Sequence, residues 1–450
     1  MRTSLYLFSI FLFFITGCSN EPDIQQEVPE NNGLIEDSVN QELLNEVYFT
    51  FNIDNKNLDS ESWIILYDET GNLLDYKSYN AKDFLEFKKR SDSIPKSITV
   101  TLFSTTQSSP SQYAFSSISQ VEIGTKWNII VSEVNTEITD PEISPVIGEF
   151  ELEVSEAKGP DYYKQNLLTN IKGYGANNTG YTIFHDENGL STYNYNPISI
   201  KENENNYLYS KLDYDLNLKY YWFENVQPND KFNVKHSDFS DYDSYLDLPF
   251  VENQYFSLNI LAFENDDVLK QKYPNYTGYI LLDIDSNTYS QSGPVNPGYL
   301  DIFKWYRTEI HMYRGIDQPS FHYLNYSDKP EISIPESDFN VTNRSLSNLT
   351  FSTNISYVRN ESLFTTNFNG VDPITYWRVY SGEDQYPKIG TVPQELLDLY
   401  PEIDLDNLEY SYTNLYLDFS YSHEDYLNYY ENTTYSELPI PEVYLSFFDE

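Results

Sequence analysis

The segment Val47-Tyr48-Phe49-Thr50-Phe51-Asn52-Ile53-Asp54 alternates apolar side chains with hydroxyl-bearing or polar ones. A period of two places successive side chains on opposite faces of an extended chain. Val47, Phe49, Phe51 and Ile53 therefore predict the buried face of a strand, and the intervening residues predict its wetter face. Similar short apolar runs separated by turn residues recur along the chain, whereas helical periodicity is scarce. The sequence predicts an all-β fold.

A hairpin is predicted directly after this strand. The apolar run Trp63 to Tyr67 is followed by the turn Asp68-Glu69-Thr70-Gly71 and by a second run from Asn72 to Tyr79. Gly71 supplies the left-handed position that such a turn requires. Helix is predicted only in short pieces, from Pro393 to Leu399, from Tyr162 to Thr169 and from Asp267 to Lys272.

Two landmarks repeat along the rest of the chain. Thr179-Gly180-Tyr181, Thr277-Gly278-Tyr279 and Thr375-Tyr376-Trp377 each open an apolar strand and follow one another at 98 residues. The segment 221–239 also aligns without gaps on 321–339. These spacings predict tandem immunoglobulin-like β-sandwich modules of about 100 residues. The predicted organisation is a signal peptide at 1–17, a disordered acidic linker at 18–44, and sandwich modules at 45–146, 147–252, 253–351 and 352–450.

The amino terminus carries the pattern of an export signal. Arg2 precedes the apolar run Leu5 to Ile15, and the small residues Thr16 and Gly17 lead to Cys18, the only cysteine of the chain. The apolar run is too short for a membrane span, which needs about 20 apolar residues. From Ser19 to Leu44 there are seven acidic residues and no Lys or Arg, which indicates a disordered tether.

The block Ile15-Thr16-Gly17-Cys18 resembles the lipobox of bacterial lipoproteins. That resemblance implies cleavage before Cys18, a covalent lipid on its sulfur and a membrane anchor. The acidic residues that follow resemble the surface-export signals of Bacteroidetes-type lipoproteins, which implies the outer membrane with the body of the chain facing the cell exterior. The layout of a tether and tandem sandwiches is similar to that of surface glycan-binding lipoproteins.

Charge and cysteine content limit the partners. The net charge is −43, with 70 acidic residues against 27 Lys and Arg, so nucleic acid is excluded as an expected partner. A single cysteine allows no internal disulfide. The expected partners are the membrane through the lipid anchor, and a polysaccharide or another surface protein.

Signatures of catalysis and of resident cofactors are missing from the sequence. The five histidines form no zinc-protease pair, and there is no nucleophile elbow or phosphate-binding glycine loop. Asp283, Asp285 and Asn287 match the start of a calcium loop, but Thr288 and Pro294 replace its glycine and glutamate. An EF-hand is thus ruled out, and the choice lies between a weak calcium site and an ordinary polar turn. The sequence predicts no catalytic residue and no cofactor beyond the lipid on Cys18, with calcium left open.

The strand Lys304 to Tyr313 is the strongest candidate for ligand binding. Its even-numbered residues suit a core, and its odd-numbered residues combine aromatic, charged and imidazole groups that could stack on a sugar ring and bind its hydroxyls. The alternative is that these rings pack against a neighbouring strand. The candidate binding residues are Trp305, Arg307, Glu309, His311, Tyr313, Trp377, Tyr412 and Tyr416.

Three classes of function remain open from the sequence. A non-catalytic surface binding protein, with glycans as the candidate ligand, fits the layout and the aromatic residues. A structural protein or adhesin that acts through protein contacts is the alternative, and an extracellular hydrolase is the third class.

Overall fold

The computed structural model describes the chain in segments, and nearly all of its regular structure is β-strand. The described residues are 45–55, 62–90, 93–106, 111–131, 145–157, 166–172, 181–212, 217–246, 248, 255–264, 278–284, 297–313, 319–330, 332–366, 373–383, 385–417, 420, 422–432 and 442–449. The signal peptide, Cys18, the acidic linker and the helix predicted from Asp267 to Lys272 lie outside them. The predicted all-β class is confirmed.

Seven strands form the amino-terminal part of the fold. They are β1 (Asn45–Asn55), β2 (Ser62–Asp68), β3 (Leu73–Tyr79), β4 (Phe84–Arg90), β5 (Ser97–Thr106), β6 (Gln112–Glu122) and β7 (Lys126–Val131).

Nine strands follow, and the first eight of them build two four-stranded sheets. The nine are β8 (Val146–Ala157), β9 (Asn166–Thr169), β10 (Thr182–His185), β11 (Ser191–Lys201), β12 (Tyr207–Leu212), β13 (Leu218–Phe223), β14 (Lys231–Lys235), β15 (Ser240–Asp241) and β16 (Ser244–Tyr245), with a 3-10 turn at His236–Asp238. The last, β16, pairs with β19 (Gly298–Tyr299).

The remaining elements are eleven strands and two helices. They are β17 (Tyr255–Phe263), β18 (Tyr279–Ile284), β19 (Gly298–Tyr299), β20 (Trp305–Tyr313), β21 (Ser320–Ser327), β22 (Phe339–Asn343), β23 (Thr350–Thr353), β24 (Arg359–Thr365), β25 (Ile374–Ser381), α1 (Gln394–Leu399), β26 (Glu409–Tyr416), α2 (His423–Asn432) and β27 (Glu442–Phe448).

One twelve-stranded sheet organises the molecule. Its order is β18-β17-β20-β21-β27-β26-β24-β25-β6-β5-β2-β3. All its neighbours run antiparallel except β25 and β6, which pair in parallel from Ile374 opposite Gln112 to Tyr380 opposite Ile118. This parallel ladder joins the amino-terminal strands to the carboxyl-terminal ones.

The amino-terminal end of this sheet is buried on both sides. One side is covered by the three-stranded sheet β4-β1-β7, whose Phe49, Phe51 and Trp127 pack with Ile64 and Val100 of the large sheet. The other side packs against the chain around α1, including Leu396. Strands covered on both faces need apolar side chains at every position, and the run Trp63 to Tyr67 meets that need.

The other end of the large sheet belongs to a stack of three sheets. The sheet β15-β13-β12-β9 lies in the middle, because Leu208 of β12 joins the core beneath the large sheet. The neighbouring Tyr207 and Tyr209 join the core shared with the sheet β10-β11-β8-β14. Alternation along β12 thus supplies both cores from one strand.

Local features of the sequence are confirmed in β1 to β3 and in α1. Phe49, Phe51 and Ile53 are buried as the alternation predicts, and Tyr48 is buried as well. Val47, predicted on the buried face, is 39% exposed, because the pairing register with β4 shifts between Val47 and Phe49. Strands β2 and β3 form the predicted hairpin, with Gly71 at φ +84° and the Asp68 carboxylate accepting hydrogen bonds from the backbone N–H groups of Thr70 and Asn72.

The helix predicted from Tyr162 to Thr169 is wrong where the structure describes it. Residues Asn166–Thr169 form β9, which pairs with β12 through Leu168 opposite Tyr209. Burial of Leu167 and Leu168 between two layers outweighs the weak local helical pattern. Among the described residues, no helix is long and apolar enough to cross a bilayer.

The predicted module boundaries stay a prediction, but strands pair across them. The large sheet takes β2, β3, β5 and β6 from the predicted first module, β17, β18, β20 and β21 from the third, and β24 to β27 from the fourth. The repeated triplets also occupy different positions: Tyr181 and Tyr279 adjoin the edge strands β10 and β18, whereas Thr375 lies in the interior strand β25. Adjacent modules therefore share hydrogen-bond ladders.

Trp377, a candidate binding residue, requires a correction. Its side chain is 1% exposed and stacks on Phe115 with ring centroids 4.4 Å apart. The indole N–H donates to the Ser117 hydroxyl at 2.7 Å. Trp377 therefore belongs to the core, because β25 is covered on this face by the chain around α1.

We expect Trp377→Ala to lower the free energy of unfolding by about 3–5 kcal/mol, since it deletes a fully buried aromatic ring and leaves a cavity. Urea unfolding followed by circular dichroism measures the loss. The matched control is Trp305→Ala, whose ring is only half-buried and whose removal costs less. Equal losses for both variants would contradict this placement of Trp377.

Candidate functional site

Burial alternates along β20 as the sequence predicts. Tyr306, Thr308, Ile310 and Met312 are buried against the core, and the odd-numbered residues point to the opposite side of the large sheet. The odd-numbered side becomes steadily more exposed toward the end of the strand. The predicted binding residues of β20 therefore share one face.

Cross-strand pairing extends this face over five neighbouring strands. His311 lies opposite His322, which lies opposite Tyr444. Tyr444 in turn lies opposite Tyr416, which lies opposite Arg359. Directly paired residues share a face, so Tyr412 and Tyr416 join the β20 residues as a single surface.

We name this surface the polar face. It consists of Arg307, Glu309, His311 and Tyr313 of β20, His322 and Tyr326 of β21, Glu442, Tyr444 and Phe448 of β27, Tyr412 and Tyr416 of β26, Arg359 and Glu361 of β24, and Tyr376, Arg378 and Tyr380 of β25.

Four ionisable side chains form a row across β20, β21 and β27. Glu309 Oε1 lies 3.1 Å from His311 Nε2, and the Nδ1 atoms of His311 and His322 lie 2.9 Å apart. His322 Nε2 faces Glu442 Oε2 at 3.9 Å. Arg307 forms an ion pair with Glu309 at the start of the row.

The hydrogen bonds fix the proton positions of the two imidazoles when both are neutral. Glu309 can only accept, so His311 donates from Nε2 and accepts at Nδ1. His322 must then donate from Nδ1, which leaves its Nε2 without a proton. That nitrogen is buried and has no hydrogen-bond partner among the described residues.

The environments of this row shift its pKa values in different directions. The hydrogen bond from His311, assisted by Arg307, lowers the pKa of Glu309 to about 2. Burial, with the nearby His311, lowers the pKa of His322 to about 3. Burial raises the pKa of Glu442. The row thus keeps a carboxylate at one end and favours an uncharged carboxyl group at the other.

Glu361 organises the other half of the polar face. It is 8% exposed and accepts hydrogen bonds from the phenols of Tyr416 at 3.0 Å and Tyr412 at 3.4 Å. Arg378 Nε lies 3.7 Å from its Oε1. Burial raises the pKa of Tyr416, so its phenol stays protonated and donates.

Arg359 is held by aromatic rings. Its guanidinium carbon lies 3.8 Å from the ring centroid of Tyr416 and 4.6 Å from that of Tyr426 in α2. Such contacts stabilise a cation through the negative face of the ring. Helix α2 covers this part of the polar face, and His423 fixes it to the sheet through a 2.9 Å contact with the Ser119 carbonyl.

A line of rings borders the polar face on β26, β27 and β20; Phe448 and Tyr313 are exposed, and Tyr412 is half-buried. Phe448, 46% exposed, lies between Tyr412 at 5.8 Å and Tyr313 at 6.3 Å between ring centroids. Tyr313 is 40% exposed. Arg378 flanks one end of the line, with 43% of its side chain exposed. These rings offer apolar contact area beside charged groups.

The remaining predicted site residues have different surroundings. Trp305 is half-buried against Leu261 and Phe263, so its ring serves packing at the far end of the sheet. Asp283 lies in β18 opposite Asn259, while Asp285 and Asn287 lie outside the described residues. Within the described ranges, no three His, Cys, Asp or Glu side chains are placed to hold a metal ion.

Sequence reasoning missed most of the polar face outside β20 and β26. The missed residues are Arg359, Glu361, Arg378, His322, Glu442, Tyr444 and Phe448. Each lies on a strand with visible alternation, but alternation does not reveal which strands are neighbours. Tyr444 and Phe448, two and six residues after Glu442, could have been placed on one face from spacing alone.

Comparisons with known proteins add little. No protein-family model matches the sequence, and no curated protein is significantly similar to it. Among solved structures, one described as "Ca2+-stabilized adhesin helps an Antarctic bacterium reach out and bind ice" is 8% identical, covering 83% of this chain and 95% of that one, with a TM-score of 0.10. A TM-score this low carries no argument about fold or function.

Stability should fall on acidification because of His322. Its folded pKa of about 3 lies below its ordinary value, so the unfolded chain takes up the proton first. Stability is therefore complete above about pH 6.5 and falls toward about pH 3, by at most about 1.4 kcal/mol for each pH unit. Glu309, with its pKa of about 2, extends the loss in the same direction below about pH 4.5.

Urea unfolding between pH 7 and pH 5 tests this expectation. We expect His322→Gln to flatten the pH dependence, and His185→Gln, at an exposed position of β10, to leave it unchanged. The groups that face His322 are His311, Glu309, Arg307, Glu442 and Tyr444. A slope that stays the same in His322→Gln would contradict the burial of a neutral imidazole.

Proposed function

We propose that this chain is a non-catalytic binding protein of the cell surface, held on the outer membrane by lipid on Cys18, and that its ligand is a glycan bound at the polar face. The observation that carries the proposal is the line formed by the half-buried Tyr412 and the exposed Phe448 and Tyr313 beside Arg378 and His311. Sugar rings have apolar faces and hydroxyl edges, and this border offers aromatic area and hydrogen-bonding groups together.

The rigidity of the site supports a binding role. The exposed rings stand on strands in the interior of a twelve-stranded sheet, so their spacing is set by the hydrogen-bond ladder. Rings held in this way lose little conformational freedom when a ligand binds.

The arrangement of the carboxyl groups favours binding over hydrolysis. Glu309 and Glu442 have pKa values shifted in opposite directions, which is a pattern of acid and base pairs. Two imidazoles occupy the space between these carboxyl groups, in a continuous row of contacts. A glycosidic bond has no room to lie between them.

The anchor is proposed from the sequence alone. An acyl group on Cys18 and the acidic linker of residues 18–44 would hold the β-rich body at a distance from the membrane. Multiple acyl chains anchor stably, whereas a single one holds only marginally.

The glycan proposal is tested by retention of the mature chain on a panel of neutral and acidic polysaccharides. Phe448→Ala and Tyr313→Ala should each weaken binding by about three- to tenfold, as expected for loss of an aromatic contact worth about 0.5–1.5 kcal/mol. The matched control is Phe184→Ala, an exposed ring of β10 on another sheet.

Unchanged retention in both variants would contradict a role for the polar face. Binding to no glycan at all would contradict the ligand class and favour the structural or adhesin alternative. Release of reducing ends from a bound polysaccharide would favour the hydrolase alternative.

Lipidation is tested by the substitution Cys18→Ala. We expect wild-type cells to yield a mature protein with an acylated amino-terminal cysteine in mass spectra and to retain it in the outer-membrane fraction. Cys18→Ala should abolish both results, and Ser19→Ala should preserve them. An unacylated amino terminus in wild-type cells would contradict the anchor.

A further inference from the structure

Arginine is concentrated on the polar face. Three of the seven arginines of the chain, Arg307, Arg359 and Arg378, lie there, in a protein whose net charge is −43. The Nε atom of each is buried and lacks a hydrogen-bond partner among the described residues. A guanidinium carries five donors, and buried donors are normally satisfied. The polar face thus holds donors that the described protein does not use.

The three arginines differ in how their charge is offset. Arg307 is paired with Glu309, and Arg378 approaches Glu361. Arg359 is 4% exposed, and its guanidinium lies against the rings of Tyr416 and Tyr426. In the part of the chain that the structure describes, no carboxylate lies within ion-pair distance of Arg359. A buried cation without an anion is costly, and the two tyrosine rings offset part of that cost.

The carboxyl groups of the polar face already have partners within the fold. The two oxygens of Glu361 accept from Tyr412 and Tyr416. Glu309 is held by Arg307 and His311. The polar face thus gathers three guanidinium groups on a strongly acidic protein, and their donors are not all used.

Arg378 provides the accessible contact for a ligand. Its guanidinium carbon lies 5.5 Å from the ring centroid of Tyr376, and 43% of its side chain is exposed. On its other side lies the half-buried ring of Tyr412, which is followed by the exposed ring of Phe448. An anionic group at Arg378 would therefore place the attached sugar beside Tyr412 and Phe448.

We propose that the ligand of the polar face is an acidic glycan, whose carboxylate or sulfate groups bind Arg378 while its sugar rings lie on Tyr412 and Phe448. This inference rests on the proposed function and narrows its ligand class. A guanidinium binds either anion through two parallel N–H donors. The acidic surface elsewhere repels anions, so binding depends on these local donors.

The experiment is calorimetry on the mature chain with two matched pairs of probes. One pair is tetragalacturonate and its methyl ester, and the other is a κ-carrageenan tetrasaccharide and its desulfated form. At an ionic strength of about 0.15 M the Debye length is about 8 Å, so only local charges distinguish the members of a pair. We expect the charged member of at least one pair to bind tenfold or more tightly than its uncharged counterpart, and the pair that shows this difference identifies the anion.

Substitutions then test which residues cause the preference for the charged probe. Arg378→Gln should remove the preference for the charged probe, Arg378→Lys should keep part of it, and Arg90→Gln, at an exposed position of β4, should keep all of it. These variants decide the assignment, because Arg378 lies at the exposed border of the sheet and its substitution leaves the core intact.

Each other outcome contradicts a distinct statement. Equal affinity for charged and uncharged probes, or binding of neutral panel glycans alone, overturns the acidic-ligand inference and leaves the proposed function standing. An unchanged preference in Arg378→Gln overturns the assignment to this residue. Absence of binding to every glycan overturns the proposed function, and this inference falls with it.

Discussion

The parallel ladder between β6 and β25 is the constraint on which the rest of the molecule depends. It is the one junction between the strands of residues 62–122 and those of residues 255–448 in the large sheet. The core beneath it draws Phe115 from one side of the junction and Trp377 from the other. Its hydrogen bonds are shielded from water by apolar layers, which strengthens them and penalises any unpaired strand edge.

A sheet joined in this way can have one largely apolar face and one face with a polar centre. One face builds two cores, in which buried hydroxyl pairs such as Thr101 with Ser117 and Ser362 with Thr413 lie among apolar side chains. The other face is apolar under the small sheet β4-β1-β7 and α2 and again around Phe263 and Trp305, and it is polar over the middle strands. Buried charge is tolerated there because neighbouring strands supply partners at fixed positions, such as Arg307 for Glu309 and the phenols for Glu361. Arg359 departs from this pattern and is held by tyrosine rings.

Local sequence signals predicted the local structure well. The alternation of β1, the β2–β3 hairpin with Gly71, the start of α1 near Pro393 and the two faces of β20 follow from periodicity and turn chemistry alone. The order of the strands in the sheet does not follow from the sequence, because pairing between distant segments is visible in neither the helical nor the strand periodicity. Alternation alone therefore predicts Trp377 as a binding residue and does not reveal Glu361 or His322. The helix α2 also escaped prediction, since its aromatic residues serve packing contacts with distant strands.

The same long-range pairing bears on how the protein is made. Ser117 and Trp377, which bond across the central junction, are 260 residues apart. Contacts this distant raise the contact order and slow folding, because loop-closure entropy must be overcome before the ladder forms. During synthesis β6 would wait as an open edge until β25 emerged, exposed to aggregation throughout that interval. A chain with this topology is therefore best kept extended by chaperones until its whole length is available.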